Sequence, residues 1–490
     1  MGCPFEGTGR TISQKQFITK TRLNRMNSQR FTNTLAMAAV GGLMMLACKT
    51  GSEQTTSSAS EALVITSSAA GNFPSYCPIF PVPAGTKDTF SLSQAYPDTF
   101  DVNAAEPWME VDFRTDYQKY MKTVLSYAME GNLEVDFNVQ KNAIRQWYSA
   151  PWMHDDGKRP AEKGQNSGRE CLHGLTREIT IPVGTLAAAQ TVPYQTYAIA
   201  FYNQPGGYTM GKVWKNPEKP AVKQSTFPEG TVAFKLLFTE ADTTQVPYLA
   251  NSKKWTANIF YPYNAYAERV NKDVRLLQLD IAIKDERATE TSGWVYGTFI
   301  YDASQSGSSW VDRMVPVGLM WGDDSGDSTM LNVSNKYNPS LKQSVINQSL
   351  LTVPPAGSNK AYVTHLGMGG RMNGPVDNPI SSCISCHARA AISDEGVPAS
   401  IANFGAKKYT YQDFQTYFST IPCGVTTITQ KDSKGNETKF TTGDYSFQLV
   451  NGIRNFMALL PPPAAKQGML RAAKRKPIPM VSRDGSVDLD

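Results

Sequence analysis

One short segment carries residues whose types and spacing suit cofactor chemistry. Cys383-Ile384-Ser385-Cys386-His387 has the C-x-x-C-H spacing of c-type heme attachment. Two thiols can bond to the two vinyl groups of one porphyrin, and the imidazole of the next residue can reach the iron. On a helix, positions 383, 386 and 387 share one face, because residues three and four apart are neighbours. The motif predicts one covalent heme c, held by Cys383 and Cys386, with His387 on the iron.

Chance and two other metal or redox motifs are the alternatives to heme. The chain has seven cysteines and four histidines among 490 residues, so random placement would give about 0.0008 such motifs. A redox C-x-x-C is expected in a βαβ setting, and a zinc half-site needs a second close Cys/His pair. The sequence has neither pattern, which favours heme.

The sixth position of the iron has several candidate ligands in the sequence. They are His154, His173, His365, Met368, Met372 and Met457. Met457 lies on a predicted helix over Asp444–Leu459, downstream of the motif, as axial methionines do in small carrier cytochromes. It also belongs to an apolar stripe with Leu449 and Ile453, which indicates a core position instead. A vacant sixth position is the third alternative.

Three further polar or glycine-rich segments are possible parts of a site. Residues 365–375 form a Gly-rich loop that can lie flat along a porphyrin or be an ordinary surface loop. Residues 154–173 carry two histidines among many charges, so they can supply a distal base or an arginine for heme propionates, or be a solvated loop. Asp323, Asp324 and Asp327 suit either Ca²⁺ or a metal-free acidic turn.

The N-terminal segment has the layout of an export signal. Six bases and one acid lie in residues 1–47, which end in the apolar run LAMAAVGGLMMLA directly before Cys48. A small residue before a cysteine resembles the lipobox of bacterial lipoproteins, so we expect Cys48 to be an acylated lipid anchor, with an ordinary signal peptide as the alternative. Lys49 follows in place of an acid, which favours the outer membrane. Residues 48–75 read as a Ser/Thr-rich flexible tether.

Export to an oxidising compartment bears on the remaining cysteines. Outside the leader, the anchor and the heme motif, the chain has Cys77, Cys171 and Cys423. Three thiols allow at most one disulfide and leave one over, and the spacing does not say which pair forms.

Periodicity predicts an α+β fold with an antiparallel β-rich body (76–345), a helical N-terminal part, and a helical heme-attachment region (346–460). Helical spacing runs from Tyr117 to Ala128, and a second helix is expected over Val139–Tyr148. Period-two alternation predicts a sheet or barrel with one buried face. Its candidate strands are Gln195–Tyr202, Val232–Phe238, Leu277–Lys284, Trp294–Tyr301 and Met314–Trp321. Residues 461–490 read as a Pro-rich basic tail.

Charge and missing motifs exclude several function classes. The whole chain has a formal charge of +5, but the segment after residue 47 holds 42 bases and 42 acids, so no nucleic-acid partner is expected. There is no phosphate loop, G-x-S-x-G elbow or H-E-x-x-H helix, so the sequence gives hydrolase chemistry no support.

The order of motifs resembles a family of heme proteins. The strand opening Phe227-Pro228-Glu229-Gly230-Thr231 leads to Lys235, Gly293-Trp294 follows, and the heme motif comes last. This order resembles the hydroxylamine-oxidising, lysine-crosslinked cytochromes and the related β-sheet cytochromes c′. The resemblance covers residues 195–395. It implies a heme on a β-sheet, His387 as the proximal ligand, an open distal side, and Lys235 as the nearest match to the crosslinking lysine.

Two functions follow from these predictions. The first is an electron carrier at a membrane surface, with one six-coordinate heme and a redox partner protein. The second is a heme enzyme or a binder of a small ligand such as nitric oxide or hydroxylamine, with a five-coordinate iron. The sequence favours the carrier, although nearly 400 residues of body exceed what a carrier needs and leave room for a pocket.

Overall fold

The fold comes from a computed structural model. It describes residues 73, 92–153, 169–170, 172–260, 269–325, 337–352, 366–379, 381–399, 417–431 and 435–459. The predicted signal peptide, Cys48, the tether and the basic tail lie outside these residues. Of the helices within them, none has the length and apolar character that a membrane span requires.

An eight-stranded antiparallel sheet forms the centre of the fold. Its strands follow the order β1-β2-β3-β5-β6-β7-β8, and β4 pairs with the first half of the long strand β5. The strands are β1 Thr176–Ile181, β2 Tyr194–Tyr202, β3 Val232–Thr239, β4 Lys254–Phe260, β5 Arg269–Lys284, β6 Trp294–Tyr301, β7 Met314–Met320 and β8 Ser344–Ile346. The five predicted strands are all present, since β-branched and aromatic residues alternate clearly there.

A second, three-stranded antiparallel sheet lies near the C-terminal end of the described chain. Its order is β10-β11-β9, with β9 Ala391–Ile392, β10 Thr427–Lys431 and β11 Glu437–Thr442. Strand β9 follows the heme motif by only four residues, so the motif leads directly into this small sheet.

The described helices are short or of medium length. They are α1 Tyr117–Met129, α2 Gln204–Val213, α3 Ser349–Thr352, α4 Cys383–His387 and α5 Phe447–Leu459. The predicted helices over Tyr117–Ala128 and before Leu459 are confirmed as α1 and α5. The helix expected over Val139–Tyr148 is wrong: only the 3-10 turn Val139–Lys141 forms, and the Tyr148 backbone pairs with Tyr202 of β2 instead. Together with the sheets, these helices confirm the α+β class.

The prediction of a single buried face holds for β4 and the first half of β5, where Lys254, Thr256 and Asp273 are exposed, and is wrong for β6, where both faces are covered. On one face a core contains Tyr120 and Val124 of α1 together with Phe234 and Leu279 of the sheet. On the other face a second core joins the sheet to α2, α4 and α5. Every residue of β6 is buried as a result. The covering layer contains the heme motif and packs on the central strands β2, β3, β6 and β7 and on the second half of β5.

Candidate functional site

The heme motif forms its own short helix, α4. Ser382 is the N-cap, and its hydroxyl accepts a hydrogen bond from the Ser385 backbone N–H at 3.0 Å. The Ser385 hydroxyl accepts in return from the Ser382 backbone N–H at 2.8 Å. This reciprocal capping box satisfies two donors that a helix start otherwise leaves unpaired. The motif is therefore helical, as its spacing predicts, and Ser382 caps the helix.

The three attachment residues lie on the more open side of α4. Cys383, Cys386 and His387 are half-buried, whereas Ile384 and Ser385 between them are fully buried. Ile384 belongs to the core on this face of the sheet, and its backbone N–H contacts the Met320 sulfur of β7 at 3.4 Å. The buried side of α4 therefore fixes the helix, and the other side presents the two thiols and the imidazole together.

His387 is oriented through one ring nitrogen. Its Nδ1 lies 2.7 Å from the Tyr445 carbonyl oxygen, which can only accept, so Nδ1 carries the proton and donates. The Tyr296 hydroxyl of β6 donates to the same carbonyl at 3.0 Å and lies 3.3 Å from Nδ1. With Nδ1 occupied, Nε2 has the lone pair that an iron ligand needs, as in metal-bound histidines generally.

The carbonyl that orients His387 is held by a strained turn. Asp444 and Tyr445 have φ values of +44° and +66°, in the left-handed region that costs energy for residues other than glycine. The Asp444 carboxylate accepts from the Lys284 ammonium at 2.9 Å and from Trp294 Nε1 at 3.0 Å. It also accepts from the Phe227 backbone N–H at 2.9 Å. The end of β5, the start of β6 and the segment before β3 therefore hold this turn and, through it, the imidazole.

A buried ion pair supports the start of α4. Asp323 and Arg371 are both fully buried, with Arg371 Nε 3.8 Å from Asp323 Oδ1 and 2.9 Å from its backbone carbonyl oxygen. The Ser382 hydroxyl lies 2.7 Å from Asp323 Oδ1. Asp323 Oδ1 is engaged by the Ser382 cap, whereas the buried Oδ2 has no hydrogen-bond partner among the described residues, so both interpretations of the acidic segment stay predictions. Asp327 lies outside the described residues.

The Gly-rich segment packs against α4 instead of lying on the surface. Gly367 donates its N–H to the Arg371 carbonyl oxygen at 2.8 Å, and Leu366 pairs with Met372. A Cβ on Gly367 would meet the Ser381 carbonyl oxygen, so only glycine permits this approach. Met372 is fully buried, with its sulfur 3.9 Å from Cys383 Sγ. The surface-loop interpretation of this segment is therefore wrong.

A group of polar side chains lies on the sheet near the motif, and we call it the polar cluster. Its members are Glu178 of β1, Lys235 of β3, Gln278 and Asp280 of β5, Thr298 of β6, and Asp377 of the loop before α4. Lys235, Asp280 and Thr298 are direct cross-strand neighbours. The Lys235 ammonium lies 3.3 Å from Glu178 Oε2.

The Gln278 amide binds both aspartates of the polar cluster. Its Nε2 donates to Asp280 Oδ1 at 2.8 Å and to Asp377 Oδ2 at 3.1 Å. Thr298 also donates to Asp280 at 2.9 Å, and the Gly374 N–H donates to Asp377 at 2.9 Å. Two carboxyl groups therefore converge on one amide nitrogen.

Electrostatics keep the motif residues neutral. Burial and the nearby Asp377 carboxylate raise the pKa of the Cys386 thiol to about 12. Burial raises the pKa of Cys383 as well, and Asp377 and Asp280 add to this effect. Burial lowers the pKa of His387 to about 4; the Tyr445 carbonyl opposes this shift and the Lys235 charge adds to it. The imidazole is therefore neutral at physiological pH, as a metal ligand must be.

The geometry and protonation of these residues fit a c-type heme. Two unpaired thiols and one neutral imidazole share a helix face, and the covered sheet face carries Ala233 and Ala282 near the motif. His387 Nδ1 already donates to the Tyr445 carbonyl oxygen, which leaves Nε2 for a metal ion. Cys383 and Cys386 form no disulfide with each other, so both sulfurs are free for thioether bonds.

One candidate sixth ligand, His173, lies on the face of the sheet opposite α4. His173 stacks on Trp255 at 4.3 Å between ring centroids, and Trp255 belongs to the core on the opposite face of the sheet. Burial lowers the pKa of His173. Met457 packs on the turn after β9, because a Cβ at Gly396 would lie 3.2 Å from its sulfur. His154, His365, Cys77 and Cys171 lie outside the described residues, and Cys423 forms no disulfide.

Sequence reasoning missed the residues that orient the motif. Tyr296, Asp444 and Lys284 come from three separate segments, and no spacing links them to His387. A signal did exist in the strands, since Lys235 and Asp280 interrupt otherwise apolar runs. Such charges usually mark a solvated face, and only the layer that covers the sheet changes that interpretation.

Two further observations describe the surroundings of the site. A cavity of about 720 Å³ lies elsewhere, lined by residues such as Glu106, Trp108, Tyr127, Arg145 and Glu229, and includes no residue of the heme motif. Within the described ranges, no group of three or more His, Cys, Asp and Glu side chains is arranged to hold a metal ion.

Comparison with protein-family models, with curated proteins and with solved structures gave no significant match for this chain. The resemblance to the lysine-crosslinked cytochromes and cytochromes c′ therefore stays a prediction.

Proposed function

We propose that this protein is a c-type cytochrome with a single heme, attached through Cys383 and Cys386, with His387 as an iron ligand, and that it acts in electron transfer. The observation that carries this proposal is the hydrogen bond from His387 Nδ1 to the Tyr445 carbonyl, in a helix that presents both thiols on the same side. A redox C-x-x-C would not require an oriented imidazole next to its second cysteine.

The chain's own residues would position and shield the cofactor. When bound, heme supplies a centre that gains and loses one electron. Tyr445 and Tyr296 hold the imidazole ring, Ser382 holds the start of α4, and the sheet excludes water from one side of the site. These roles need no acid or base in contact with a substrate, which favours electron transfer over bond-making chemistry.

The partner and location are part of the same proposal. The single heme motif, the export-signal pattern of residues 1–47 and the predicted lipid anchor at Cys48 together favour a carrier that is tethered at the outer membrane and exchanges electrons with a partner protein. Mass spectrometry of the mature N-terminus tests the anchor. An unmodified first residue on a protein released with the periplasm would reject it.

A heme enzyme or small-ligand binder is the second candidate. It is favoured by the polar cluster, because a carrier does not need Lys235, Asp280 and Asp377 beside its cofactor. An optical spectrum with and without carbon monoxide and nitric oxide separates the two candidates. Low-spin heme that is inert to both gases supports the carrier, and high-spin heme that binds them at once supports the second candidate.

The test of covalent heme is a peroxidase stain on a denaturing gel. The wild-type chain, produced with a c-type maturation system, should keep its stain after denaturation. The double variant Cys383→Ala/Cys386→Ala should lose it. Cys423→Ala is the matched control, since this thiol also forms no disulfide but lies outside the motif, and it should keep the stain. A stain that survives in the double variant would reject the proposal.

A further inference from the structure

We infer that Asp280 and Asp377 form a shared proton site that takes up one proton when the heme is reduced and releases it when the heme is oxidised. This inference rests on the proposed function, since it needs a redox centre at the motif. It assigns to the polar cluster a role that neither the motif nor the orientation of His387 requires.

The first argument is the geometry of the two carboxyl groups. Both accept from the same Gln278 nitrogen, at 2.8 and 3.1 Å, although they come from β5 and from the loop before α4. Two carboxylates that converge on one nitrogen repel each other, so the pair loses its second proton with difficulty. The pair therefore keeps its last proton up to near-neutral pH, where a change of charge at the heme can decide whether that proton is bound.

The second argument is the charge of the surroundings. The groups that face the pair are Lys235 on the neighbouring strand β3, Glu178 on the edge strand β1, the polar Gln278 and Thr298, and the thiols of α4. The polar cluster thus has three carboxyl groups and one ammonium, and Lys235 is already paired with Glu178 at 3.3 Å. With all three carboxyl groups ionised the polar cluster carries a net charge of −2, and one proton on the pair lowers it to −1.

The third argument is the position of the pair next to the motif. Because the charges of Asp377 and Asp280 raise the pKa of Cys383, the electrostatic influence of the pair reaches α4. Burial raises the pKa of Asp280 to about 7, with a contribution from Asp377, and burial also raises the pKa of Asp377. A change of one unit of charge at the iron therefore changes the affinity of the pair for its proton.

The step is balanced in charge and atoms. One electron arrives from the redox partner protein, and one proton from water joins a carboxylate oxygen of the pair. When the electron leaves, the O–H bond breaks and the proton returns to water. Since the reduced centre carries one positive charge less, the reduced state favours the protonated pair, and the midpoint potential must fall as pH rises.

The experiment is a spectroelectrochemical titration of the heme-loaded protein at several pH values. The wild-type midpoint potential should fall between about pH 6 and 8 with a slope of at most about 59 mV per tenfold change in proton concentration, the value for one electron. Asp280→Asn and Asp377→Asn should each flatten this slope. Glu240→Gln is the matched control and should not change it. The pKa of Glu240 is also about 7, but Glu240 lies about 17 Å along the strand from Lys235.

The outcomes separate this inference from the proposed function. A wild-type chain without covalent heme rejects the proposed function. A heme-loaded wild type with a flat potential, or variants that keep the wild-type slope, overturns this inference alone. If the aspartate variants do not fold, the redox difference infrared spectrum of the wild type decides. A carboxylic-acid C=O band that shifts in D₂O supports the shared proton, and its absence overturns it.

Discussion

The Nδ1 atom of His387 and the carbonyl oxygen of Tyr445 are 2.7 Å apart, although 58 residues separate them in the chain. Tyr445 occupies a left-handed backbone conformation that a non-glycine residue adopts only when its surroundings enforce it. Here Lys284 and Trp294 enforce it by binding the preceding residue, Asp444. The orientation of the candidate iron ligand thus depends on the large sheet and not on α4 alone.

Asp444→Asn is expected to destabilise the protein strongly. It leaves the buried Lys284 ammonium without its carboxylate, and loss of one partner of a buried ion pair costs about 3 kcal/mol or more in the free energy of unfolding. Urea unfolding measures this loss. The control is Asp273→Asn, which removes the exposed ion pair between Lys254 Nζ and Asp273 Oδ2, 2.8 Å apart. It should cost less than about 1 kcal/mol in the free energy of unfolding. Equal losses in the two variants would contradict the role of Asp444.

Ser382→Ala is expected to weaken α4 at its start. It removes the capping hydrogen bond and the bond to Asp323, a loss of about 1–2 kcal/mol in the free energy of unfolding. Asp116→Ala removes a comparable cap from α1, at a cost of about 1 kcal/mol. Only Ser382→Ala should also reduce the fraction of chains with covalent heme, measured as the ratio of heme to protein absorbance. A similar reduction in Asp116→Ala would indicate a general folding defect.

Glu240 is expected to make stability depend on pH. Burial raises its pKa from 4.5 to about 7, against the opposing hydrogen bond from the Gln195 N–H, and its Oε2 has no partner among the described residues. The folded state therefore holds the proton more tightly than the unfolded state. The stabilisation that this bound proton gives the folded state is complete below pH 4.5 and is lost as pH rises through about 7.

Glu240→Gln should remove this dependence. The variant should be more stable than the wild type at pH 8 by about 1–3 kcal/mol and of similar stability near pH 4, because the neutral side chain has no proton to lose. Urea unfolding at both pH values checks the prediction. A variant with the same pH dependence as the wild type would assign the effect to other groups.

Met457→Leu is expected to leave the optical spectrum of the heme protein unchanged. Its side chain packs on the Gly396 turn, so we assign it to the core and not to the iron. Leucine has a similar volume, and such swaps cost less than about 1.5 kcal/mol. The measurement is the absorption spectrum of the oxidised and reduced protein. Loss of a low-spin signature in this variant would instead identify Met457 as the sixth ligand.

The sequence by itself determined the central elements of this fold, although it did not predict β1, β4, β8 or α2. The five predicted strands and the helices α1 and α5 follow from local periodicity, because side chains on a strand or helix face repeat at fixed intervals. The helical conformation of the motif and its Ser382 cap also follow from local signals. The segment Val139–Tyr148 did not follow its pattern, since its last residue pairs with β2 and tertiary contacts override helix propensity.

Only the tertiary structure decided what surrounds the motif. That Tyr445 accepts from His387, that Asp323 binds the Ser382 cap, and that Asp280 and Asp377 meet at Gln278 are contacts between residues far apart in the chain. Periodicity reports which residues share a face, but it does not report what covers that face. The charges within the strands therefore looked like a solvated surface, and the layer formed by α2, α4 and α5 makes them part of the candidate site.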